Sequence, residues 1–208
     1  MDKKYWENYY EFNIAPEQAS LFAQFVLKNY LKKQDSLIEF GCGNGRDSVF
    51  FAKNGVNVTA VDQCEAEILA LKEENKLPNI KFLSDDFTKL KAEELFDIVY
   101  SRFTLHSITE KAEDETIKWA YEHIKNKGYF LIEARGKKNE LYMLGTPVDG
   151  EPDAYIYENH FRRYVEMDKL QKKLTDIGFN IVYAEENTGF APFHDTDYTF
   201  MRIIARKE

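Results

Sequence analysis

The feature that most constrains this fold is a regular alternation of strand-like and helix-like segments along the first 135 residues. Short apolar runs predict strands at residues 36–40, 56–61, 80–83, 96–100 and 128–133. Helical periodicity predicts helices between them at residues 45–54, 65–75 and 112–125. Because parallel strands need long crossover connections, this order predicts a doubly wound α/β fold with a parallel sheet and helices on both faces.

The pattern changes after residue 135. A segment with several glycines and prolines, residues 136–164, predicts an irregular insert, which we expect on the substrate side of the fold. A helix is predicted at 167–177, and two strands follow at 179–184 and 199–205 without a helix between them. This order predicts an antiparallel pair at the end of the sheet.

Length and composition fit one domain over residues 1–208, with residues 1–34 as an N-terminal helical lid. Hydrophobic residues make up 44% of the chain, so it can bury a core. A net charge of −8 without a basic run argues against nucleic-acid binding. No apolar stretch approaches the roughly 20 residues of a membrane span, and no signal sequence is evident.

The two cysteines, Cys42 and Cys64, cannot form a four-cysteine metal site, and free thiols suit a reducing cytoplasm. The sequence His-Asp-Thr-Asp at 194–197 resembles a metal site in composition only. We therefore expect a cytoplasmic protein, monomeric or homodimeric, that acts on a small molecule without a metal, nucleic-acid or membrane partner.

The most informative motif is a glycine-rich turn between the first strand and the next helix. It spans residues 39–45 and reads Glu-Phe-Gly-Cys-Gly-Asn-Gly. Its glycines let the backbone approach a ligand, and the following helix directs free N–H groups at that ligand. Asp62 ends the second strand, where a carboxylate can accept both hydroxyls of a ribose. Together these features predict a nucleotide site, although a helix-capping turn with a surface aspartate is the alternative.

Two classes of nucleotide-binding protein share such a turn. A nicotinamide site usually carries G-x-G-x-x-G, whereas this chain has an acidic residue followed by G-x-G-x-G. A dehydrogenase would also need a hydride-handling site, which the remaining residues do not obviously supply.

Over nearly its full length, the sequence resembles the class I S-adenosylmethionine-dependent methyltransferases. The likeness rests on Glu39 before the glycines, Asp62 after the second strand, Asp86 after the third, and Phe-Asp-Ile-Val-Tyr at 96–100. The resemblance implies strand order 3-2-1-4-5-7-6, with an antiparallel seventh strand, and S-adenosylmethionine as the cofactor.

The same resemblance implies roles for individual residues. Glu39 is expected to orient the methionine amino group, and the backbone of Ser101 to lie beside the methionyl group. Asp86 and Phe87 are expected to contact the adenine, with Gln63 near its ring. The cofactor-binding residues so implied are Glu39, Gly41, Gly43, Arg46, Asp62, Gln63, Asp86, Phe87 and Ser101.

The assignment of Arg46 has a narrower basis. The sequence Gly-Arg-Asp-Ser at 45–48 is similar to a motif of tellurite- and thiopurine-type small-molecule methyltransferases. Arg46 would meet the methionine carboxylate at the start of the helix. A surface arginine on the first helical turn is the alternative, because a helix N-terminus can hold a carboxylate unaided.

The acceptor is expected beyond the fourth strand, because ligands of open α/β sheets lie at the carboxyl ends of the strands. The Asn/Asp-Pro-Pro-aromatic motif of nucleic-acid amino-methyltransferases is absent from residues 101–106. His106 is the predicted base or acceptor-positioning group, because an ordinary pKa of ~6.5 lets it take a proton near neutral pH. A structural histidine in a loop is the alternative.

A second cluster, residues 159–164, reads Asn-His-Phe-Arg-Arg-Tyr. Arginines bind carboxylate or phosphate bidentately, and Arg135 at the end of the fifth strand should face the same cleft. The pattern resembles small-molecule methyltransferases of bacterial envelope and capsule gene clusters, whereas a solvated basic patch is the alternative. The predicted substrate-binding residues are Arg135, His160, Arg162, Arg163 and Tyr164.

The N-terminal segment is rich in aromatic residues: Tyr5, Trp6, Tyr9 and Tyr10. These rings can fold over the cofactor as a lid that excludes water, or they can pack as the core of the first helix. Tyr10 is the ring predicted to act in catalysis with His106.

These patterns predict a methyltransferase that acts on a small anionic acceptor, phosphorylated or carboxylated. Methyl transfer is an in-line displacement, so positioning of the reactants supplies much of the rate. Two alternatives stay open: an enzyme that detoxifies a soft oxyanion or a thiol, and a nucleotide-binding module without catalysis.

Overall fold

The structure, a computed structural model, describes residues 3–12, 18–91 and 93–208, with the side chains of all of these except residues 3 and 9–12. The α-helices are α1 (Lys3–Phe12), α2 (Leu21–Asn29), α3 (Arg46–Lys53), α4 (Glu65–Glu74), α5 (Glu110–His123) and α6 (Met167–Ile177). Short 3-10 turns lie at Phe87–Lys89 and Leu105–Ser107. Within these ranges, no helix is long and apolar enough to cross a membrane.

The strands are β1 (Ser36–Phe40), β2 (Asn57–Asp62), β3 (Ile80–Ser84), β4 (Phe96–Arg102), β5 (Ile124–Ala134), β6 (Thr146–Pro147), β7 (Ala154–Tyr157), β8 (His160–Arg163), β9 (Phe179–Asn187) and β10 (Phe200–Lys207). Seven of them form a sheet in the order β3-β2-β1-β4-β5-β10-β9. β10 is antiparallel to both β5 and β9, whereas the first five strands are parallel. The predicted order 3-2-1-4-5-7-6 is confirmed, with β9 and β10 as its sixth and seventh strands.

The central strands of the sheet are largely buried on both faces, as expected when helices cover parallel strands. Successive residues of β1 face opposite layers, because side chains alternate along a strand. Leu37 joins the apolar cluster under α2, α3 and α4, whereas Ile38 and Phe40 join the cluster under α5 and α6. The predicted two-sided helical cover is therefore present. The carboxyl edge of the sheet is left to carry side chains from several loops.

The insert is more regular than the sequence predicts. β6, β7 and β8 form a small antiparallel sheet, and β7 and β8 make a hairpin in which Tyr157 pairs with His160. The prediction of an irregular segment is therefore wrong for residues 154–163. The hairpin turn consists of Glu158 and Asn159, with φ of 52° and 58°. Such turns usually carry Asn-Gly or Asp-Gly, so the Glu-Asn pair gave little indication of a hairpin.

Candidate functional site

A cavity lies at the carboxyl edge of the sheet, where the loops after β1, β2, β4 and β5 meet. Its volume is about 670 Å³, within the usual range for small-molecule sites. Residues 39–47 and 62–63 form one side, called here the cofactor half. The opposite side, the acceptor half, is formed by Tyr5 and Trp6 of α1, residues from 103–107, Arg135, residues 160–162 and residues 191–200.

The glycine turn bends the backbone tightly at the floor of the cofactor half. Gly41 and Gly45 have left-handed φ values of 64° and 71°. A Cβ atom at position 41 would lie 2.6 Å from Cγ2 of Thr104, so a side chain would clash as well as strain the backbone. The turn brings the first residues of α3, with their free N–H groups, to the cavity.

The carboxylate of Asp62 is held at the end of β2 by two backbone donors. The N–H of Gly43 donates to Oδ2 and the N–H of Cys64 to Oδ1, each at 2.9 Å. Asp62 is buried and lines the cavity. Each carboxylate oxygen can accept a further hydrogen bond, so this geometry suits a pair of ribose hydroxyls.

Two other groups of the cofactor half are buried and have hydrogen-bonding capacity that the protein does not use. Glu39 accepts a hydrogen bond from Ser48 Oγ, and its burial together with the nearby Asp47 carboxylate raises its pKa well above the ordinary range. Nε2 of Gln63 is buried without a hydrogen-bond partner among the described residues. An ammonium group near Glu39 and a ring acceptor near Gln63 would satisfy both groups.

Arg46 lies on the first turn of α3 and lines the cavity, as the motif predicted. Its Nη1 donates to the carbonyl oxygen of Gln18 at 3.3 Å, and burial and the nearby Arg102 lower its pKa. A carboxylate would pair with Arg46 and meet the helix N-terminus. The cofactor half therefore fits S-adenosylmethionine, whose ribose, adenine, amino and carboxylate groups match these four side chains.

The side chains of three predicted cofactor-binding residues, Asp86, Phe87 and Ser101, do not line the cavity. The Asp86 carboxylate accepts hydrogen bonds from its own turn, from N and Oγ1 of Thr88 at 3.0 and 2.7 Å. Phe87 is buried and stacks on Phe40, with ring centres 5.2 Å apart. The Ser101 hydroxyl hydrogen-bonds to that of Thr104. Phe87 thus belongs to the apolar core, because its turn directs the ring inward.

Asp47 has a structural role that the sequence motif did not indicate. Its Oδ1 accepts from the N–H of Ser20, and its Oδ2 accepts from Ser20 Oγ and from the Tyr100 hydroxyl, at 2.7 to 2.8 Å. Ser20 is also the N-cap residue of α2, where its Oγ accepts from the N–H of Ala23. This network fixes the start of α2 beside the cavity. The sequence analysis identified neither Ser20 as an N-cap residue nor its pairing with position 47.

In the acceptor half, the hydrogen bonding of His106 determines which of its ring nitrogens carries the proton. Its Nδ1 accepts a hydrogen bond from the backbone N–H of Arg135 at 3.1 Å. Burial lowers the pKa of His106 well below 6.5, and the charge of Arg135 adds to this effect. The neutral ring therefore carries its proton on Nε2. The expectation that His106 is a base is not supported by this geometry, whereas its expected positioning role is compatible with it.

Arg135 and Arg162 both line the acceptor half, as expected. Arg135 donates to Oδ1 of Asn139 at 3.0 Å, and Arg162 donates to the carbonyl oxygen of Tyr157 at 2.8 Å. No carboxylate in the described ranges forms an ion pair with either guanidinium. Burial and the nearby Arg162 lower the pKa of Arg135 to about 10. Two neighbouring cations thus face the cavity, and the Glu140 carboxylate, which accepts hydrogen bonds from Thr199, acts on Arg135 only at longer range.

His160 also lines the cavity and is buried. Its ring stacks on Tyr5 with centres 4.1 Å apart, and Trp6 meets it edge-on at 5.1 Å. Helix α1 therefore contacts the insert across the acceptor half, which supports a lid at the N-terminus. The side chain of Tyr10, the other predicted catalytic residue, lies outside the described part of the chain.

Arg163 and Tyr164 are not brought to the cavity, although both were expected there. Arg163 points to the opposite face of β8, where it is buried and pairs with Glu113. Tyr164 is buried against the rings of Tyr142 and Tyr155. Strand alternation explains the position of Arg163, because it directs neighbouring arginines to opposite sides, whereas Tyr164 lies beyond the end of β8.

Aromatic rings from two distant segments complete the acceptor half, and the sequence did not single them out. Phe103 stacks on Phe200 at 4.8 Å, Arg102 lies 4.0 Å from the centre of the Phe103 ring, and Arg135 lies 4.8 Å from that of Phe200. Phe103 has an unusual φ of 61°, and its N–H donates to the Glu133 carbonyl oxygen at 2.8 Å. A strained residue at a strand end is typical of functional sites, but strain is invisible in a sequence.

Comparison with known proteins adds a family and relatives to this geometry. Residues 37–128 match a family model described as a methyltransferase domain. A protein of Geobacillus sp. (strain WCH70) named as a methyltransferase is 32% identical, over 94% of this chain and 94% of its own length. The ubiquinone biosynthesis O-methyltransferase of Rickettsia canadensis (strain McKiel) is 25% identical over 70% of this chain, and the match spans 62% of that enzyme.

A solved structure gives the same fold. The 1,6-didemethyltoxoflavin-N1-methyltransferase of Burkholderia thailandensis superposes with a TM-score of 0.72 and 21% identity, over 99% of this chain and 84% of that one. That protein was crystallised with 1,6-didemethyltoxoflavin and S-adenosylhomocysteine bound. At this identity the likeness concerns the fold.

Proposed function

The chain belongs to the class I S-adenosylmethionine-dependent methyltransferases, and on that premise we propose that it methylates a small anionic acceptor. The acceptor carries a carboxylate or phosphate group that binds Arg135 and Arg162. The atom that receives the methyl group is an oxygen or nitrogen of the same molecule, held near the cofactor half.

The observation that carries this proposal is the pair of arginines without a carboxylate partner. Burying a charge is unfavourable unless an opposite charge compensates it, and here two like charges approach each other. Arg135 and Arg162 are half-buried, and neither forms an ion pair with a carboxylate of the described residues; Glu140 offsets the charge of Arg135 only at longer range. An anionic acceptor supplies the missing charge and forms strong, directional hydrogen bonds with guanidinium groups.

On the cofactor side, the protein contributes binding and orientation. S-adenosylmethionine supplies a methyl group on a positively charged sulfur, which leaves as a neutral thioether. Asp62 binds the ribose, Glu39 the amino group and Arg46 the carboxylate. Together they hold the cofactor so that its methyl group faces the acceptor half.

On the acceptor side, the arginines fix one end of the molecule, and the His106 Nε2–H donates a hydrogen bond near the other. Alignment of nucleophile, methyl carbon and sulfur supplies much of the rate of an in-line displacement. Closure of α1 over His160 would exclude water from the cavity during transfer. These contributions need no metal ligand.

The test uses radiolabelled S-adenosylmethionine and a small-molecule extract of the source organism, fractionated on an anion exchanger. We expect labelled product from fractions that the exchanger retains. Arg135→Gln and Arg162→Gln should lose most of this activity, whereas Arg206→Gln, which changes an arginine on the far part of β10, should keep it.

Activity confined to the unretained fraction, or undiminished in both arginine variants, would contradict the anionic acceptor. A soft oxyanion or thiol as acceptor would appear as transfer to tellurite or to thiols added separately. Binding of S-adenosylhomocysteine without transfer to any fraction would favour the non-catalytic alternative.

A further inference from the structure

Two histidines face the acceptor half from different elements. His106 lies in the 3-10 turn after β4, and His160 begins β8. Arg163, on the other face of β8, donates to the carbonyl oxygens of Leu105 and Ile108 at 3.1 Å each. These bonds fix β8 against the turn, so both imidazoles belong to one rigid wall of the cavity.

The environment of His106 prevents it from gaining a proton easily. Its Nδ1 already accepts from the N–H of Arg135, and its neutral ring therefore has the proton on Nε2. A second proton would have to sit on Nδ1, where it would meet the backbone N–H and break that hydrogen bond. It would also place a positive charge next to a guanidinium. His106 is consequently a fixed donor.

His160 differs from His106 in how its ring nitrogens are engaged by the protein. Its ring is buried between Tyr5 and the cavity, and its Nδ1 has no hydrogen-bond partner within the described ranges. Buried polar atoms of this kind are rare and call for an explanation. Nδ1 is enclosed by the protein, so the nitrogen that His160 offers to a molecule in the cavity is Nε2. No hydrogen bond joins Nε2 to the described residues, so it can gain a proton without breaking one.

We propose that His160, and not His106, takes the proton from the acceptor, and that the anionic group of the acceptor makes this possible when it binds Arg135 and Arg162. The inference rests on the proposed function, because it assumes that an anion binds these two arginines. It adds the identity of the proton acceptor and the condition under which that group becomes basic.

The electrostatics of the free protein explain that condition. The charged and titratable groups that face the His160 ring are Arg162 on its own strand, Arg135 at the end of β5, His106, Tyr5 on α1 and its cross-strand neighbour Tyr157. Burial lowers the pKa of His160 to about 3, and the charges of Arg162 and then Arg135 contribute. An anion on the arginines opposes those charges, so the imidazolium form becomes accessible.

The transfer balances in atoms and charge. A lone pair of the acceptor nitrogen or oxygen forms the bond to the methyl carbon, while the carbon–sulfur bond breaks and its electron pair stays on sulfur. The proton of the acceptor passes to Nε2 of His160, because Nδ1 is enclosed by the protein. One positive charge is lost at sulfur and one appears at the imidazole, so the net charge of the cavity is unchanged. When the anionic product leaves, the arginines repel the imidazolium and its proton returns to water.

The experiment observes the histidine rings directly and needs no knowledge of the natural acceptor. The full chain, loaded with S-adenosylhomocysteine and isotope-labelled at its four histidines, is titrated between about pH 5 and 8 by proton–nitrogen correlation NMR. Single substitutions assign the signals. Sodium sulfate is the probe, because it stays dianionic throughout this range, and sodium chloride of matched ionic strength is the control.

We expect His106 to remain in the Nε2–H form in every sample and His160 to remain neutral in chloride. Saturating sulfate should raise the pKa of His160 from about 3 by about two pH units or more, so that its titration enters the observed range. Arg162→Gln should raise it without sulfate, since it removes one repelling charge. Arg206→Gln, remote from the cavity, should respond to sulfate as the wild type does.

The outcomes separate this inference from the proposed function. If calorimetry shows that sulfate binds and Arg162→Gln abolishes the binding, while His160 stays neutral, the proton-acceptor role is overturned and the anion site stands. That role is equally overturned if His106 titrates in place of His160. If sulfate does not bind at all, the anionic acceptor itself is refuted, and with it the role of His160.

Discussion

The two halves of the cavity are built in different ways. The cofactor half comes from one short stretch, residues 39–47, plus two residues at the end of β2, and much of it is backbone. The acceptor half gathers side chains from five places: the turn after β4, the end of β5, the insert, residues 191–200 and α1. A local, backbone-based site can be recognised from a motif, whereas an assembled site depends on the tertiary structure.

The halves also differ in charge. The cofactor half has three buried carboxyl groups, those of Glu39, Asp47 and Asp62, beside the cation of Arg46, and burial with the nearby Asp47 raises the pKa of Glu39. Arg135 and Arg162 give the acceptor half two cations without a carboxylate partner among the described residues. A cationic sulfonium with an ammonium group suits the first half and an anion suits the second.

The largest expected effect is a loss of stability in Arg163→Ala, which changes the face of β8 that points away from the acceptor half. Removing one partner of a buried ion pair typically costs about 3–5 kcal/mol of unfolding free energy. We expect about 3 kcal/mol, because Lys173 Nζ, 2.8 Å from Glu113 Oε1, keeps that carboxylate paired. Urea unfolding measures the loss. Affinity for S-adenosylhomocysteine should stay within about threefold, a change of under 1 kcal/mol.

The matched control is Arg162→Ala, on the same strand but the opposite face. Its stability should change by less than about 1 kcal/mol, while sulfate binding is lost. Equal destabilisation by the two substitutions would show that the faces of β8 are not distinct in this way.

Asp62→Ala should have the largest effect on cofactor binding. The substitution removes an oriented carboxylate and its hydrogen bonds to a ribose, each charge-assisted bond contributing about 1.5 kcal/mol or more. We expect affinity for S-adenosylhomocysteine to fall about 100-fold or more by calorimetry. Asp149→Ala, an exposed carboxylate in the insert, is the control. A fall of less than about threefold would remove the ribose role of Asp62.

A smaller effect is expected on acid stability, and it arises in the acceptor half. The pKa values of His106 and His160 are depressed in the fold, so the unfolded chain binds more protons below about pH 6.5. Stability should therefore fall as the pH drops from there, by up to about 1.4 kcal/mol per pH unit for each histidine. Urea unfolding at several pH values should show a shallower decline in His160→Gln. An identical decline in both proteins would contradict the buried, neutral state of His160.

The sequence predicted the fold and the main parts of the cofactor half for a physical reason. Strand and helix periodicities are local, and so is the glycine turn. The turn places Gly41 and Asp62 together because β1 and β2 are parallel neighbours, with Phe40 opposite Val61. Phe87 shows the limit of this approach, because it follows Asp86 in the motif but its ring packs in the core.

The acceptor half could be predicted only in part, because the hairpin of β7 and β8 was not recognised. With residues 160–163 assigned to a strand, alternation would have placed His160 and Arg162 on one face and Arg163 on the other. The hydrogen bond that fixes the tautomer of His106 joins residues 29 positions apart, and no pattern in the sequence signals it. Phe200 reaches the cavity only because β10 pairs with β5.

The most direct measurement is a crystal structure of the protein with S-adenosylhomocysteine. We predict the ribose hydroxyls on the Asp62 carboxylate, the methionyl carboxylate near Arg46, and the sulfur facing an open space bordered by His106, Arg135 and Arg162. A complex in which the methionyl carboxylate instead occupies Arg135 and Arg162 would contradict the division of the cavity, because those arginines would then serve the cofactor and leave no site for an anionic acceptor.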